Sequence, residues 1–267
     1  MKPESYPEII YKYRSWADEY HKNILLKGEV YLSAPKNFND PFDFRIGKNF
    51  MLLDSQEKIE RYIDQGLEKH KDWLMRKGID SKEERIFQLK RLENLELYQQ
   101  EYEMIESEAT DNHYGILSLS SRWDSILMWS HYGNFHKGFN VGYNEEKMRQ
   151  CGLFGKGGPV AYSDDFPTID PFSDHDMRTS FMQTHFKSKE WEYEQEYRLA
   201  KLFYPGIPTD KDRTIVIPFE FIDEINLGIS ISDKDKIEIV EFAKNKNIKV
   251  FQTKKISFKF GLTRFEI

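Results

Sequence analysis

Several absences bound what this chain does. Cysteine occurs once, at Cys151, so neither an intramolecular disulfide nor a cysteine-based zinc cage can form, and a reducing cytosol is the expected compartment. No run of about 18 apolar residues exists, so no membrane span is expected. The start "MKPESYPEII" carries no apolar stretch of the kind a secretory signal needs. There is no G-x-G-x-x-G and no G-x-x-x-x-G-K-[ST] for a nucleotide, and no G-x-S-x-G serine elbow. "GKGGP" (155–159) is too short for a phosphate loop and reads as a hairpin loop. Net positive charge is missing as well: the formal charge is −6, which excludes a basic nucleic-acid binder at the level of the whole chain. One stretch reverses that sign. Between Lys244 and Arg264 no acidic residue occurs, while Lys246, Lys249, Lys254, Lys255 and Lys259 add to the charge. Such a stretch reads either as an edge strand guarded by lysines or as a surface that attracts phosphate.

What is present predicts a large folded domain. Aromatic residues make up 15% of 267 residues, enough to build a sizeable core, and the chain reads as a single domain over 1–267. "EIIYKYRSW" (8–16) predicts a strand, 17–28 a helix stopped by Gly28, and 29–35 a second strand. From 52 to 112 proline is absent and apolar residues recur at three-to-four spacing. That pattern predicts two or three amphipathic helices inserted into a smaller core. "GILSLSS" (115–121) predicts a strand, and Ser121 with Asp124 a capping box opening a helix that ends at Gly133. Strands at 138–144 and 159–163 flank a glycine-rich loop over 152–158. A helix over 172–189, a strand from about 194, strands across 213–231, a helix from 233 and closing strands complete the chain. Short strands with interspersed helices predict an α+β fold.

Chemistry-bearing residues concentrate in a few places. "KEWEYEQEYRLA" (189–200) spaces Glu190, Glu192, Glu194 and Glu196 by two. Read as a strand, it sets these carboxylates with Arg198 on one face and Trp191, Tyr193, Tyr197 and Leu199 on the other. This is either a wet acidic face or a source of one or two cleft-facing carboxylates. "FNDPFD" (38–43) is rigid turn chemistry, with Asn39 and Asp40 bonding locally and Pro41 restraining Asp40. Phe38 and Phe42 would pin that loop beside a ligand cleft. His131 and His136, near a helix end, with Asp40 and Asp43 give a metal-dependent nuclease reading, although no recognised ligand spacing is present. Trp123, Trp129 and Tyr132 read as core residues, any of which could offer a ring to a flat ligand.

Four stretches in order, "YKYRS" (11–15), "GEVYLSAPKNFNDPFD" (28–43), "ILMWSHYGNFHKGFNVGY" (126–143) and "WEYEQEYRLA" (191–200), resemble a bacterial family catalogued as domain of unknown function 2971. The layout also resembles, more distantly, the ADP-ribosyltransferase fold of bacterial toxins and phage-defence effectors. There "GEVYLS" matches the G-x-x-Y-x-[SA] strand and Glu194-x-Glu196 the late [EQ]-x-E element. The resemblance implies a split mixed β-sheet core with flanking helices, NAD as the ADP-ribose donor, and Glu196 and Glu194 as catalytic carboxylates. The donor's anchor falls to Tyr13, Arg14 or Lys12, because Tyr13 stands where the family has histidine. Arg14 or Arg122 would meet the pyrophosphate, and Tyr31, Phe42 or Trp129 would stack on nicotinamide. Ser33, Asn39 and His131 join the implied cofactor-binding set. The acceptor, a protein, RNA or DNA, is left open by the resemblance, as is an accompanying antitoxin or chaperone. The remaining expectation, from another class, is a binding module that retains the fold without NAD chemistry.

Overall fold

The computed structural model describes residues 6–174 and 176–267. The first five residues of the "MKPESYPEII" start, read above for a secretory signal, lie outside the described residues. The chain opens with β1 (Ile9–Arg14), α1 (Glu19–Leu26) and β2 (Glu29–Tyr31). Four helices follow: α2 (Gln56–Lys69), α3 (Lys71–Lys77), α4 (Ser81–Leu92) and α5 (Leu95–His113). Next come β3 (Tyr114–Ser120), α6 (Ile126–His131), β4 (Phe139–Asn144), α7 (Glu145–Gln150), β5 (Lys156–Pro159) and β6 (Ala161–Ser163). Then α8 (Met177–His185), β7 (Phe186–Ser188), β8 (Glu196–Leu202), α9 (Asp210–Arg213) and β9 (Thr214–Val216). The chain closes with β10 (Ile222–Leu227), α10 (Asp233–Lys246), β11 (Lys249–Lys255) and β12 (Leu262–Glu266). This is a mixed α+β fold. Among the described residues no helix is long and apolar enough to cross a membrane.

The chain divides into two compact units. The first comprises 1–39, 111–164 and 185–267. Its eight-stranded sheet runs β12-β11-β10-β4-β1-β3-β8-β5. Neighbours are antiparallel except β10 and β11, which are parallel and linked through α10. β1 and β3 share a single register pair, Tyr11 with Ser120, whereas β1 and β4 pair along six. Alternation along the strands gives the sheet two unlike faces. One is apolar: Ile10, Leu117, Leu119, Phe139, Val141, Tyr197, Leu199, Ile225 and Leu227 pack against Ile24 and Leu25 of α1, Met148 of α7 and Ile239 and Ala243 of α10. Registers place Tyr11, Ser120 and Glu196 in one row of the other face, and Tyr13, Asn140 and Asn226 in the next. That second face buries Asn140, Asn226, Glu224, Ser120, Glu196 and Arg198, with Met128 and Trp129 of α6 over Tyr11 and Tyr13.

The second unit comprises 40–110 and 165–184. Its core is Phe50, Leu53, Ile63 and Leu92, with Phe50 edge-on to Tyr62 at 5.5 Å and to Tyr98 and Tyr102 at 4.8 Å each. Beside it lies a cavity of about 620 Å³ lined by Tyr62, Trp73, Leu74, Tyr98 and Phe172. The region read as two or three helices holds four, because His70 both ends α2 and begins α3, and Gly78 closes α3 in the left-handed region at φ 67°.

Three local readings are corrected. The helix expected from Ser121 starts a turn later, capped by Ser125, whose hydroxyl accepts from Met128 N. Asp124 instead pairs with Arg122 at 2.8 Å. The glycine-rich loop over 152–158 yields an edge strand, β5, because Gly157 lets the backbone lie against Leu199, where a Cβ would come within 2.6 Å of that side chain. The helix expected over 172–189 includes His175, outside the described residues, and is helical only over Met177–His185 before β7 begins.

Candidate functional site

The spacing-by-two of the glutamates does not make a strand face. Lys189–Glu194 is a 3-10 helix, opened by Ser188, whose hydroxyl accepts from Glu190 N. It closes at Gln195, whose backbone is left-handed at φ 39°. Only from Glu196 does the chain extend as β8. Glu190 and Glu192 stay in solvent, and past the reversal at Gln195 the Glu194 and Glu196 carboxylates reach the same ammonium, that of Lys187. Three backbone contacts fix this turn: Ser120 Oγ donates to Glu194 O at 2.6 Å, Ser121 N to Gln195 O at 2.9 Å, and Glu196 N to Tyr162 Oη at 2.8 Å.

A shared cation joins the two carboxylates. Lys187 Nζ donates to Glu194 Oε2 at 2.7 Å and to Glu196 Oε2 at 3.3 Å. Arg198, two residues on and on the same strand face, grips Glu196 through a fork, Nε to Oε1 and Nη2 to Oε2, both at 2.8 Å. Tyr132 Oη donates to Glu194 Oε1 at 2.6 Å, and Asn39 Nδ2 to Tyr132 Oη at 3.2 Å. The Phe38 and Trp191 rings stand 5.7 Å from the Arg198 guanidinium and 4.7 Å from the Lys187 ammonium. Lys187, Glu194, Glu196 and Arg198 are all buried. Such groups are tolerated inside a protein only when paired and hydrogen-bonded.

Burial pushes the Glu196 carboxyl up, but the charges of Arg198 and Lys187 and hydrogen bonds from Arg198 and Ser118 outweigh it and hold it at about 2. Glu196 is therefore an ionised carboxylate in a nearly water-free setting. Burial, reinforced by the Glu194 charge, raises the Tyr132 phenol. Nearby, Lys12 Nζ donates to Ser118 O at 2.6 Å. Burial, then Arg14, drives that ammonium well below its usual range, and Glu196 and Glu194 pull it back.

Each of the other expected site residues has partners of its own. Asn39 joins the cluster through Tyr132. Tyr13 is buried, donates to Arg122 O at 2.7 Å and meets Trp129 edge-on at 5.1 Å. Trp129 is wholly buried, its indole donating to Trp123 O at 2.8 Å, so it offers no open ring face. Arg14 alternates with Tyr13 and is thus on the opposite side of β1, where burial lowers it to about 10. Arg122 holds Asp124. His131 is exposed, its ring 5.9 Å from Tyr193. Tyr31 donates to Asp210 at 2.9 Å. Ser33 bridges Ile116, four residues and so about 13 Å along β3 from Ser120. Phe42 belongs to the second unit, exposed, with Phe166 at 6.4 Å. Asp40 accepts from Phe42 N at 2.9 Å. Among the described residues no three His, Cys, Asp or Glu side chains converge as metal ligands.

Sequence reasoning missed Lys187, Tyr162 and Ser120. It also missed a second buried network on the same face. There Tyr11 donates to Glu224 at 3.0 Å, Asn226 to Asn140 at 2.8 Å, and Arg264 bonds both Glu224 and Asn226. The signal was available in "DEINL", where Glu224 and Asn226 alternate with Ile225 and Leu227 in a strand apolar enough to be central.

Fold and cluster together define an α+β protein with one polar sheet face and a buried carboxylate pair at the head of a strand. Residues 128–199 match a family model described as "Protein of unknown function (DUF2971)". The matched stretch runs from α6 into β8 and contains Tyr132, Tyr162, Lys187, Glu194, Glu196 and Arg198. No curated protein and no solved structure matches the chain.

Proposed function

We propose that the protein is an NAD-dependent ADP-ribosyltransferase, acting on a macromolecular acceptor in the manner of a bacterial toxin or defence effector. The observation that carries this reading is the pair of buried carboxylates, one held ionised at about 2, at the head of β8 beside a sheet seam only one register pair wide. Cleaving the ribose–nicotinamide bond leaves its electron pair on nicotinamide and positive charge on the ribose, as in glycoside cleavage. An ionised carboxylate in a dry site stabilises that charge strongly. Glu196 takes this role, and its contact to Lys187, at 3.3 Å longer than its two bonds to Arg198, is the one a ribose hydroxyl replaces. Glu194 accepts the proton released as the acceptor's nucleophile bonds to the ribose carbon. Arg198 and Lys187 hold Glu196 ionised, and Lys187 orients both carboxylates.

The test is nicotinamide release and transfer of labelled ADP-ribose into a bacterial lysate, for wild type and Glu196→Gln. The expected loss is at least about a hundredfold, the scale of removing one electrostatic stabiliser. Equal turnover by the two proteins removes Glu196 from the chemistry, and no turnover by wild type with any lysate fraction sinks the reading. One observation favours the second reading, a binding module without NAD chemistry: both Glu196 oxygens are already engaged. In that case calorimetry finds no NAD binding, and the glutamates matter to stability alone.

A further inference from the structure

The turn between β11 and β12 exposes two aromatic rings completely. Phe258 and Phe260 have relative exposures of 107% and 104%, values that leave neither ring with appreciable packing. The turn itself is well made: Ile256 N donates to Gly261 O at 3.0 Å and Lys259 N to Ile256 O at 3.3 Å. Phe258 sits in the left-handed region at φ 60°, a conformation a bulky side chain adopts rarely. Exposed apolar surface concentrated at one spot marks an interaction site rather than an accident of folding.

The charge around these rings selects the partner. Lys254, Lys255 and Lys259 are all exposed and flank the rings, and no acidic residue occurs from Lys244 to Arg264. The partner is therefore anionic and offers flat or apolar surface within reach of each cation. A single-stranded nucleic acid does both, because phosphates meet lysines while bases stack on aromatic faces regardless of sequence. An anionic bilayer fits less well. It spreads its charge over a plane, and the remainder of a chain of net charge −6 would face that plane, whereas a strand needs to touch only the tip. We propose that the β11–β12 hairpin tip is a docking site for single-stranded nucleic acid, with Phe258 and Phe260 stacking on bases and Lys254, Lys255 and Lys259 contacting phosphates. This inference does not rest on the transfer reaction.

The experiment is fluorescence anisotropy of full-length protein with a labelled oligouridine of about 20 nucleotides, long enough for any one site. A parallel arm measures sedimentation with vesicles rich in phosphatidylserine. The variants are Phe258→Ala/Phe260→Ala and Lys254→Gln/Lys255→Gln/Lys259→Gln, all at exposed positions and checked for an unchanged melting temperature. Wild type should bind the oligomer, and the double phenylalanine variant should bind at least about tenfold more weakly. The triple lysine variant should flatten the plot of log affinity against log salt by about 2, since each lost phosphate contact on a single strand removes about 0.7. Failure of wild type to bind, binding that the phenylalanine changes leave intact, or vesicle binding that they abolish while oligomer binding persists would each overturn the proposal.

Discussion

Replacing Glu196 by glutamine tests the central geometry most directly. In the folded protein this carboxyl falls from its ordinary 4.5 to about 2. At about 1.4 kcal/mol per pH unit the attraction is worth about 3 kcal/mol. The folded value is the lower one, so this stability is present in full above about pH 4.5 and is lost as pH falls through about 2. Glu196→Gln removes the charge at every pH and leaves the buried Arg198 guanidinium without its carboxylate, a loss of about 3 kcal/mol or somewhat more at neutral pH. Urea unfolding of both proteins, from about pH 7 down to about pH 3, should show the wild type losing its advantage on the acid side. The gap between the two should narrow by about 2 kcal/mol over that range. Two curves that run parallel down the acid limb, or a variant as stable as wild type at neutral pH, would show that the fork between Arg198 and Glu196 contributes nothing and that the assignment of an ionised, paired carboxylate is wrong.

Three further outcomes are expected. Tyr132→Phe removes a hydrogen bond to a buried carboxylate and should cost about 1.5–3 kcal/mol, measured by chemical denaturation, with Asn39 losing its acceptor at the same time. Gly138→Ala would put a Cβ at 2.1 Å from Arg14 O, a backbone atom that cannot step aside. The melting temperature should drop as for a loss of about 3 kcal/mol, or the protein should fail to accumulate in soluble form. Arg264→Met strands Glu224 and should cost about 3 kcal/mol, while adding Glu224→Gln to that variant should recover part of the loss, a double-mutant signature of their pairing.

The order of strands and helices was largely legible because hydrophobic alternation in 115–121, 138–144 and 222–227 is strong and local. What misled was the 189–200 stretch. Four glutamates at spacing two satisfy a strand template, yet Gln195 adopts a left-handed backbone that no glycine or asparagine announces. The helix before it likewise hid β7, which places Lys187. The carboxylates themselves could be found, since like charges crowded among aromatic residues invite an explanation. Their partner could not, because nothing in "HFKSKEW" distinguishes a buried lysine from its solvated neighbour Lys189. Trp129 and Tyr13 fit a ligand-stacking role by residue type, but their roles depend on packing between α6 and the sheet, contacts between positions far apart in sequence.

The narrow junction between β1 and β3 has a consequence for motion. Tyr11 and Ser120 are the one register pair there among the described residues, and a side-chain ammonium, Lys12 on Ser118 O, stands in where ladder amides would otherwise close the gap. A sheet joined this way can breathe along one line while each half keeps its own ladder. Amide protons bordering that line should exchange with solvent ahead of those in β4, β10 and β8, and such a loosening would bring water and small solutes to the head of β8 without unfolding anything else.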